Sequence, residues 1–142
     1  MILHDQPYEL LALDVGSVRI GVARASSLVR LPEPLMTIQN GPETVQRLKQ
    51  LVVEHDARTL VVGLPRGLEG QETAQTASVR EFVALLSQQL SIPIVLQDEA
   101  VTSRKAEDEL LARGKPYAKG DVDALAAAYI LDDYLKAQHG KI

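Results

Sequence analysis

The sequence predicts an α/β fold in which a mixed five-stranded sheet is flanked by helices. The first observation is the order of the patterns, because three short apolar runs precede a stretch where helical periodicity alternates with two further strand-like runs. The second is that residues 10–13 and 92–96 are continuously apolar, as in strands covered on both faces. The third is that short turns join the first three runs, which favours an antiparallel meander beside central parallel strands.

Five apolar runs are the predicted strands. The first ends in an acidic residue, and the second resumes after a turn at Gly16 and Ser17. The third follows two prolines, the fourth is rich in β-branched residues and stops at Pro65, and the fifth precedes a polar segment. The predicted strands cover residues 8–15, 20–25, 35–38, 59–64 and 92–96.

Four segments carry helical periodicity. The first follows the turn at Asn40, Gly41 and Pro42, and its apolar stripe begins at Val45. The others cover residues 72–90, 103–113 and 121–137. Because the sequence has no internal repeat and no linker long enough to separate two units, we expect residues 1–142 to form one domain.

Composition narrows the classes of function. The 142 residues include 15 Lys and Arg against 19 Asp and Glu, for a formal net charge of −4, and no cysteine. The absence of cysteine excludes disulfides, thiolate zinc sites and a cysteine nucleophile. No apolar run approaches the roughly 20 residues that cross a bilayer, and no secretory signal is visible, so we expect a cytoplasmic protein without a membrane partner. The net acidity argues mildly against binding nucleic acid through overall charge.

Acidic residues follow two of the predicted strands. In open α/β sheets, functional residues gather outside the carboxyl ends of the strands. Asp14 stands at the end of the first strand, and Asp98 and Glu99 follow the fifth. If these strands are parallel neighbours, about 4.8 Å apart, Asp14 and Glu99 share a site. The alternatives are a turn-forming role for the first carboxylate and a helix-capping role for Asp98 or Glu99.

The last predicted helix supplies a third carboxylate. Asp121 is a good N-cap residue, which puts Asp123 in the first turn. Residues at helical spacing from Asp123 are small or apolar, so its side chain projects on the face that packs against the sheet, and the alanines among them indicate a close approach of two backbones. These residues are Ala126, Ala127, Ile130 and Tyr134. The alternative is that Asp123 only complements the helix dipole.

Three carboxylates that converge on one sheet edge repel one another, which raises their pKa values unless cations lie between them. Hard oxygen ligands favour Mg²⁺ or Mn²⁺ over zinc. Two such ions, roughly 3.5–4 Å apart, hold the attacking and leaving oxygens of an in-line phosphoryl displacement. Three such carboxylates therefore predict a nuclease-type site.

Four blocks of the sequence form a specific combination. The segment LALDVGSVRIGVA at 11–23 matches the pattern D-x-G-x-x-R-I-G-x-A, and VVGLP at 61–65 matches V-G-L-P. The segment DEAVTS at 98–103 is similar to D-E-R-x-[ST]-[ST], and KGDVDALAA at 119–127 matches K-x-x-x-D-x-x-A-A. Each block alone is weak. In this order and over nearly the whole chain, they resemble the YqgF/RuvX family of Holliday junction resolvases, small proteins with a ribonuclease-H-like fold.

The resemblance implies a metal-dependent phosphodiesterase whose acidic site is Asp14, Glu99 and Asp123. With this site, we expect Asp14 to bridge two divalent ions, Mg²⁺ or Mn²⁺, and Glu99 and Asp123 to complete their coordination. It also implies a nucleic-acid partner, either a four-way DNA junction or the 5′ end of pre-16S ribosomal RNA. A homodimer would suit junction cutting, whereas a monomer would suffice for end maturation. The sequence departs from the family at Ala100, where an arginine is usual, and at Val18, where a lysine is common. Both departures remove positive charge near the expected phosphate path and leave the acidic trio intact.

Six basic side chains are candidates for phosphate contacts at the same edge, and with no base-reading element in the sequence we expect recognition of nucleic-acid shape and backbone. For two of the six, the alternative is ion pairing with Asp108 and Glu109 on an exposed helix face. For Arg113, Lys115 and Lys119 around Tyr117, a mobile basic loop that contacts the substrate and an exposed connector without such a contact are equally expected. The six are Arg19, Arg66, Arg104, Lys105, Lys115 and Lys119, and the pairing alternative applies to Arg104 and Lys105.

Two rival functions belong to other classes. A non-catalytic nucleic-acid-binding factor for ribosome assembly would keep the fold but show no Mg²⁺- or Mn²⁺-stimulated cleavage, and Asp14→Asn would leave its role unchanged. A sugar-kinase or actin-like phosphate-binding lobe shares the D-x-G start. Those enzymes close a nucleotide cleft between two related domains, and 142 residues supply only one.

Overall fold

The computed structural model describes residues 6–99 and 102–139. Over these residues the chain forms five strands and four helices, in the order that the sequence predicts. The strands are β1 (Glu9–Val15), β2 (Arg19–Ser26), β3 (Glu33–Gln39), β4 (Ala57–Pro65) and β5 (Ile94–Glu99). The helices are α1 (Thr44–Glu54), α2 (Ala74–Gln89), α3 (Thr102–Arg113) and α4 (Lys119–His139).

The described strands form one mixed sheet in the order β3-β2-β1-β4-β5. β1 pairs antiparallel with β2, and β2 pairs antiparallel with β3, which is the predicted meander. β1 also pairs parallel with β4, and β4 pairs parallel with β5. The predicted fold class, a mixed five-stranded sheet flanked by helices, is therefore confirmed.

The condition stated above for a shared site, that β1 and β5 are parallel neighbours, is not met, because β4 lies between them. The physical reason is the burial of β4: Leu60, Val61 and Val62 are almost fully buried, so this strand needs cover on both faces and neighbours on both sides. The carboxyl ends of β1 and β5 are consequently two strand spacings apart, about 10 Å. A shared site for Asp14 and Glu99 then requires one side chain to reach across β4.

β5 also differs from its predicted boundaries. The apolar run at 92–96 predicts the strand, but the strand begins at Ile94 and continues to Glu99. Its polar end belongs to the ladder because it pairs in register with β4, where Glu99 is the partner of Pro65. Hydrophobicity alone therefore places the end of this strand too early, and the ladder fixes the backbone of Glu99 at the sheet edge.

Helices cover both faces of the sheet. α1 and α2 pack on one face together with Leu11 and Leu13, whereas α4 packs on the other face with Leu10 and Ala12. This alternation is expected for a strand that is buried on both sides. α3 packs on the outside of α4 through Ala106. Among the helices described here, none has both the length and the apolar character needed to span a membrane.

α4 begins two residues earlier than predicted. Its first residue is Lys119, so the prediction of Asp121 as the N-cap is wrong. Asp121 stands in the first turn, and its Oδ2 accepts a hydrogen bond of 2.9 Å from the Ala118 N–H. A side chain that reaches back to the amide before the helix satisfies a donor that has no partner within the helix. The acid therefore still stabilises the start of α4, although from inside the helix.

Candidate active site

The carboxyl ends of β1, β4 and β5 meet at one edge of the sheet. Asp14 is the penultimate residue of β1, and Glu99 is the last residue of β5. Alternation along the strands puts both residues on the face that α4 covers, since Ala12 and Val95 pack in the α4 layer. Asp123 lies near the start of α4, where the helix backbone contacts β2 beside this edge. The three predicted carboxylates thus come from three elements that meet here.

Gly63 on β4 lets Glu99 reach across a whole strand. A Cβ atom at this glycine would lie 3.2 Å from Glu99 Oε2 and 2.5 Å from Ile130 Cδ1 of α4. The Glu99 carboxylate therefore occupies space that a side chain on β4 would fill. In the parallel register of β1 and β4, Leu13 is the partner of Val62, so the next residues, Asp14 and Gly63, stand beside each other in the sheet. This glycine explains how two acidic residues on strands that are not neighbours share one site.

Gly21 on β2 lets the start of α4 approach the sheet. It is the register partner of Asp14, and a Cβ atom on it would lie 1.9 Å from the carbonyl oxygen of Asp123. No side chain is compatible with that distance, so the backbone of α4 contacts the strand directly. The close backbone approach that the alanines predict is therefore confirmed, and Ala126 and Ala127 are fully buried.

Burial and neighbouring charges act together on Asp14. The pKa of its carboxyl rises from 3.8 to about 7, first because burial disfavours the charged form and then because Glu99 and Asp123 carry negative charge nearby. Near neutral pH, the folded chain therefore holds a proton on Asp14 in about half of the molecules. A perturbed carboxyl beside two further acids at a sheet edge is typical of a functional site.

The donor atoms of this cluster suit a divalent metal ion. Carboxylate oxygens are the ligands that Mg²⁺ and Mn²⁺ prefer, and a cation between the carboxylates would remove the repulsion that raises the pKa of Asp14. In residues 6–99 and 102–139, however, no group of three or more acidic or histidine side chains is arranged to hold an ion. The chemistry of the donor set fits the metal, whereas the side-chain arrangement does not enclose one.

Arg19 accounts for the orientation of Asp123. Its Nε donates a hydrogen bond of 2.6 Å to Asp123 Oδ2, and the two side chains are 31% and 19% exposed. The guanidinium neutralises one of the three carboxylates and directs it toward β2. The contact of Arg19 with a substrate phosphate stays a prediction, and that contact has to compete with this ion pair.

The other predicted phosphate contacts differ in their partners. Arg66 follows β4 at the acidic edge, and its guanidinium lies 3.2 Å from Asp98 and 3.4 Å from Glu72. The Nζ of Lys105 lies 4.5 Å from the centre of the Tyr129 ring, which is a cation–π contact. Both cations therefore have structural roles that a substrate would share or replace.

Three predicted phosphate contacts remain exposed, namely Arg104, Lys115 and Lys119. None of them forms an ion pair with the part of the chain that the structure describes. The alternative for Arg104 and Lys105, ion pairing with Asp108 and Glu109, is not seen among the described residues, where Glu109 pairs with Arg113. The departure from the family pattern at Val18 lies in an exposed turn at the acidic edge, and the one at Ala100 lies outside the described residues.

Sequence reasoning missed the two glycines that shape the site. Gly21 and Gly63 both interrupt strands, where glycine is unfavourable because it loses much backbone freedom and packs no side chain. An isolated glycine in a strand pattern indicates a bulge or a close approach of another backbone. That signal was present at both positions. The ion pair of Arg19 with Asp123 has no comparable signal, because 104 residues separate the partners along the chain.

The comparisons with known proteins define a class of protein: hydrolases of phosphodiester bonds built on a ribonuclease-H-like sheet. The model of the RuvX family, described as Holliday junction resolvase, matches residues 8–137. The chain belongs to this family.

Relatives match over almost their full length. A protein of Chloroflexus aggregans is 39% identical over 133 residues, which cover 91% of this chain and 94% of the relative. A protein of Crocosphaera subtropica is 40% identical over 136 residues, which cover 93% and 95%. Both carry the provisional name pre-16S rRNA nuclease.

Solved structures of resolvases share the fold. RuvC of T. thermophilus, in complex with a Holliday junction substrate, matches with a TM-score of 0.59 at 17% identity and covers 94% of this chain and 97% of its own. Fowlpox virus resolvase with Holliday junction DNA matches with a TM-score of 0.54 at 9% identity, over 92% and 98%. The predicted ribonuclease-H-like architecture is therefore confirmed.

Proposed function

We propose that this protein is a divalent-metal-dependent endonuclease that acts on structured nucleic acid, with Asp14, Glu99 and Asp123 as catalytic carboxylates and metal ligands. The observation that carries the proposal is the convergence of these groups from β1, β5 and α4. Asp14 is buried enough, and close enough to the other two, for its pKa to rise to about 7. Such convergence is unfavourable in a purely structural role, because like charges repel.

We infer that the site takes two ions of Mg²⁺ or Mn²⁺. Asp14 stands beside Gly21, which contacts Asp123, and beside Gly63, which contacts Glu99, so it is the group that would bridge the ions, with Glu99 and Asp123 completing the coordination. When bound, the ions neutralise the carboxylates and stabilise the charge that develops on the phosphate during an in-line displacement. The hard oxygen donors support this choice over zinc.

The side chains of the protein have to change in two ways for this chemistry. Asp14 must give up the proton that it holds near neutral pH. Asp123 must exchange the guanidinium of Arg19 for an ion. Arg19, which is partly exposed, then donates to a phosphate oxygen, which is the role predicted from the sequence.

We infer that the substrate is the 5′ region of pre-16S ribosomal RNA, with the four-way DNA junction as the second candidate. The names of the relatives at 39% and 40% identity support the first candidate. The description of the family supports the second. Cutting a junction on two strands calls for a two-fold dimer, whereas maturing one end does not. The oligomeric state therefore distinguishes the two substrates.

The test is cleavage of both labelled substrates with Mn²⁺, with Mg²⁺ and with EDTA. Asp14→Asn and Asp123→Asn should each reduce the metal-dependent rate by at least about 10²-fold. Asp132→Asn is the matched control, because it makes the same change on α4 away from the acidic edge, where Asp132 pairs with Lys136 at 2.9 Å. It should retain the wild-type rate.

Two results would contradict the proposal. Cleavage that survives both Asp14→Asn and Asp123→Asn would overturn the assignment of the site. Binding of nucleic acid without any metal-stimulated cleavage by the wild type would favour the binding factor for ribosome assembly. Light scattering with and without the junction reports the oligomeric state, and paired symmetrical incisions by a dimer would make the junction the substrate.

A further inference from the structure

A cleft of about 540 Å³ lies beside the acidic edge and is not used by the proposed chemistry. Edge strand β3, the connector from α3 to α4 and the first turns of α4 form its walls. We call it the α3–α4 cleft. Leu35 and Met36 of β3 and Leu125 of α4 give it apolar walls, whereas Lys115 and Tyr117 come from the connector.

The α3–α4 cleft lies two strands away from Asp14 in the sheet. Thr37, which lines the cleft, is the register partner of Gly21, and Gly21 is the register partner of Asp14. Thr37 Oγ1 also donates a hydrogen bond of 2.5 Å to the carbonyl of Gly120, which holds the start of α4 against β3. Two strand spacings, about 10 Å, therefore separate the cleft from Asp14. Because the first turns of α4 contact β2 and β3, a strand whose phosphate lies at the acidic edge has to pass around the start of α4, where Lys119 is exposed, to enter the cleft.

The charges around the α3–α4 cleft suit a polyanion. Lys115 on the cleft and Lys119 at the start of α4 are exposed and form no ion pair within the described residues. Arg113 also lines the cleft but is paired with Glu109, and the carboxylate of Asp121 accepts the Ala118 N–H. The two free ammonium groups therefore provide local positive charge in a chain whose net charge is −4.

An aromatic ring and an apolar wall in one cleft suit a nucleobase. Tyr117 is 38% exposed, so one part of its ring is available to a ligand. Stacking of one base on an aromatic side chain changes affinity by roughly 5- to 150-fold, and it tolerates any base. Flexible phosphate contacts from lysines beside such a ring are the usual means of binding an unpaired strand.

We propose that the α3–α4 cleft binds an unpaired nucleotide that flanks the scissile phosphate. The base lies between Tyr117 and the apolar wall of β3, and its phosphates contact Lys115 and Lys119. This inference rests on the proposed function and narrows its substrate class to structured nucleic acid with a single-stranded extension next to the cut.

The test compares two fluorescein-labelled RNA hairpins, one blunt and one with a five-nucleotide unpaired extension, by anisotropy in EDTA with the full chain. The wild type should bind the extended hairpin about tenfold more tightly than the blunt one. Tyr117→Ala should remove most of this gain, and Tyr117→Phe should keep it, since the ring remains. Tyr8→Ala is the matched control, because Tyr8 is 39% exposed and lies before β1, far from the acidic edge.

The lysines are tested through salt dependence. Lys115→Ala should lower affinity for the extended hairpin and reduce the slope of log affinity against log salt by about 1, as expected for the loss of one phosphate contact. Lys136→Ala, at the distant end of α4, should leave that slope unchanged. A 2-aminopurine in the extension should be quenched on binding to wild type and to Tyr117→Phe, but not to Tyr117→Ala.

Equal binding of blunt and extended hairpins by the wild type would overturn the proposal, and so would an equal gain for Tyr117→Ala and Tyr8→Ala. The cleavage assay with Asp14→Asn tests the proposed function independently of the cleft. Tighter binding of the extended hairpin without any cleavage by the wild type would support nucleotide binding in the cleft and refute the nuclease function. Cleavage without tighter binding of the extended hairpin would support the nuclease function and refute nucleotide binding in the cleft.

Discussion

Gly21→Ala is the substitution that most directly probes how the site is built. The new Cβ atom would lie 1.9 Å from the carbonyl oxygen of Asp123, 2.2 Å from its carbonyl carbon and 2.7 Å from the amide nitrogen of Ala124. Contacts under 3.0 Å essentially do not occur, so β2 and the start of α4 must separate by at least 1.1 Å, the difference between 3.0 and 1.9 Å. The obstructing atoms are backbone, which has no rotamer by which to move away.

This separation affects both stability and catalysis. Overpacking in a core typically costs about 1–3 kcal/mol, and we expect a value near the upper limit because no side chain can relax. A loss of about 3 kcal/mol lowers Tm by about 6–12 °C in a chain of this size. A shift of about 1 Å in Asp123 also reduces the cleavage rate by about 10²-fold, because catalytic groups tolerate little misplacement.

Thermal unfolding by circular dichroism and metal-dependent cleavage are the two measurements. Gly41→Ala is the control, since a Cβ atom at Gly41 would have no heavy atom within 4 Å and the residue does not adopt a positive φ. We expect it to have the stability and rate of the wild type. If Gly21→Ala matched Gly41→Ala in both measurements, the direct contact of α4 with β2 would be refuted.

Three further outcomes are expected. Without metal, the free energy of unfolding falls by up to about 4 kcal/mol as pH rises from about 4 to about 8, because the folded chain keeps a proton on Asp14 up to its pKa of about 7 whereas the unfolded chain loses it near 3.8. Urea unfolding of Asp14→Asn should show a flatter pH profile, and equal profiles would contradict the raised pKa. Arg19→Gln should bind Mn²⁺ more tightly in calorimetry without nucleic acid, because Asp123 loses a competing cation, and unchanged affinity would argue against that competition. Thr76→Val should lower the free energy of unfolding by about 1–2 kcal/mol, because it removes a buried hydroxyl from the capping box of α2. That hydroxyl accepts a hydrogen bond of 2.9 Å from the Thr73 N–H, and a melting curve like that of the wild type would contradict this prediction.

The sequence predicts the strands and helices of this fold well because the burial of each residue follows from local patterns of hydrophobicity. The alternation of Leu10 and Leu11 between two layers, for example, follows from a run that is apolar at every position. Strand order is not local information, so the separation of β1 from β5 by β4 could not be obtained from spacing. The end of β5 was also hidden, because Glu99 belongs to the strand through pairing and not through hydrophobicity.

For the candidate site, the sequence predicts the acidic residues but not how they are held. Asp123 is identified by the apolar face on which it lies, a local property of α4. Its partner Arg19 comes from β2, and only the tertiary structure brings the two together. The role of Gly63 also depends on the tertiary structure, because the space that it leaves for the Glu99 side chain exists only when β5 pairs with β4.

The acidic edge balances its charge in a way that links metal binding to nucleic-acid binding. Two features reduce the repulsion among the carboxylates: the raised pKa of Asp14, which favours its neutral form, and the guanidinium of Arg19, which pairs with Asp123. In the proposed enzyme, divalent cations would replace both the proton on Asp14 and the guanidinium of Arg19 at the carboxylates. Arg19 would then be free to bind a phosphate of the substrate at the same edge. A substrate phosphate that pairs with Arg19 would keep Arg19 away from Asp123 and so favour the metal-bound site. By linkage, the substrate must then tighten metal binding by the same factor by which the metal tightens substrate binding. A net charge of −4 then does not oppose the binding of a polyanionic substrate, because the bound metal ions and the released guanidinium of Arg19 determine the electric field at the acidic edge.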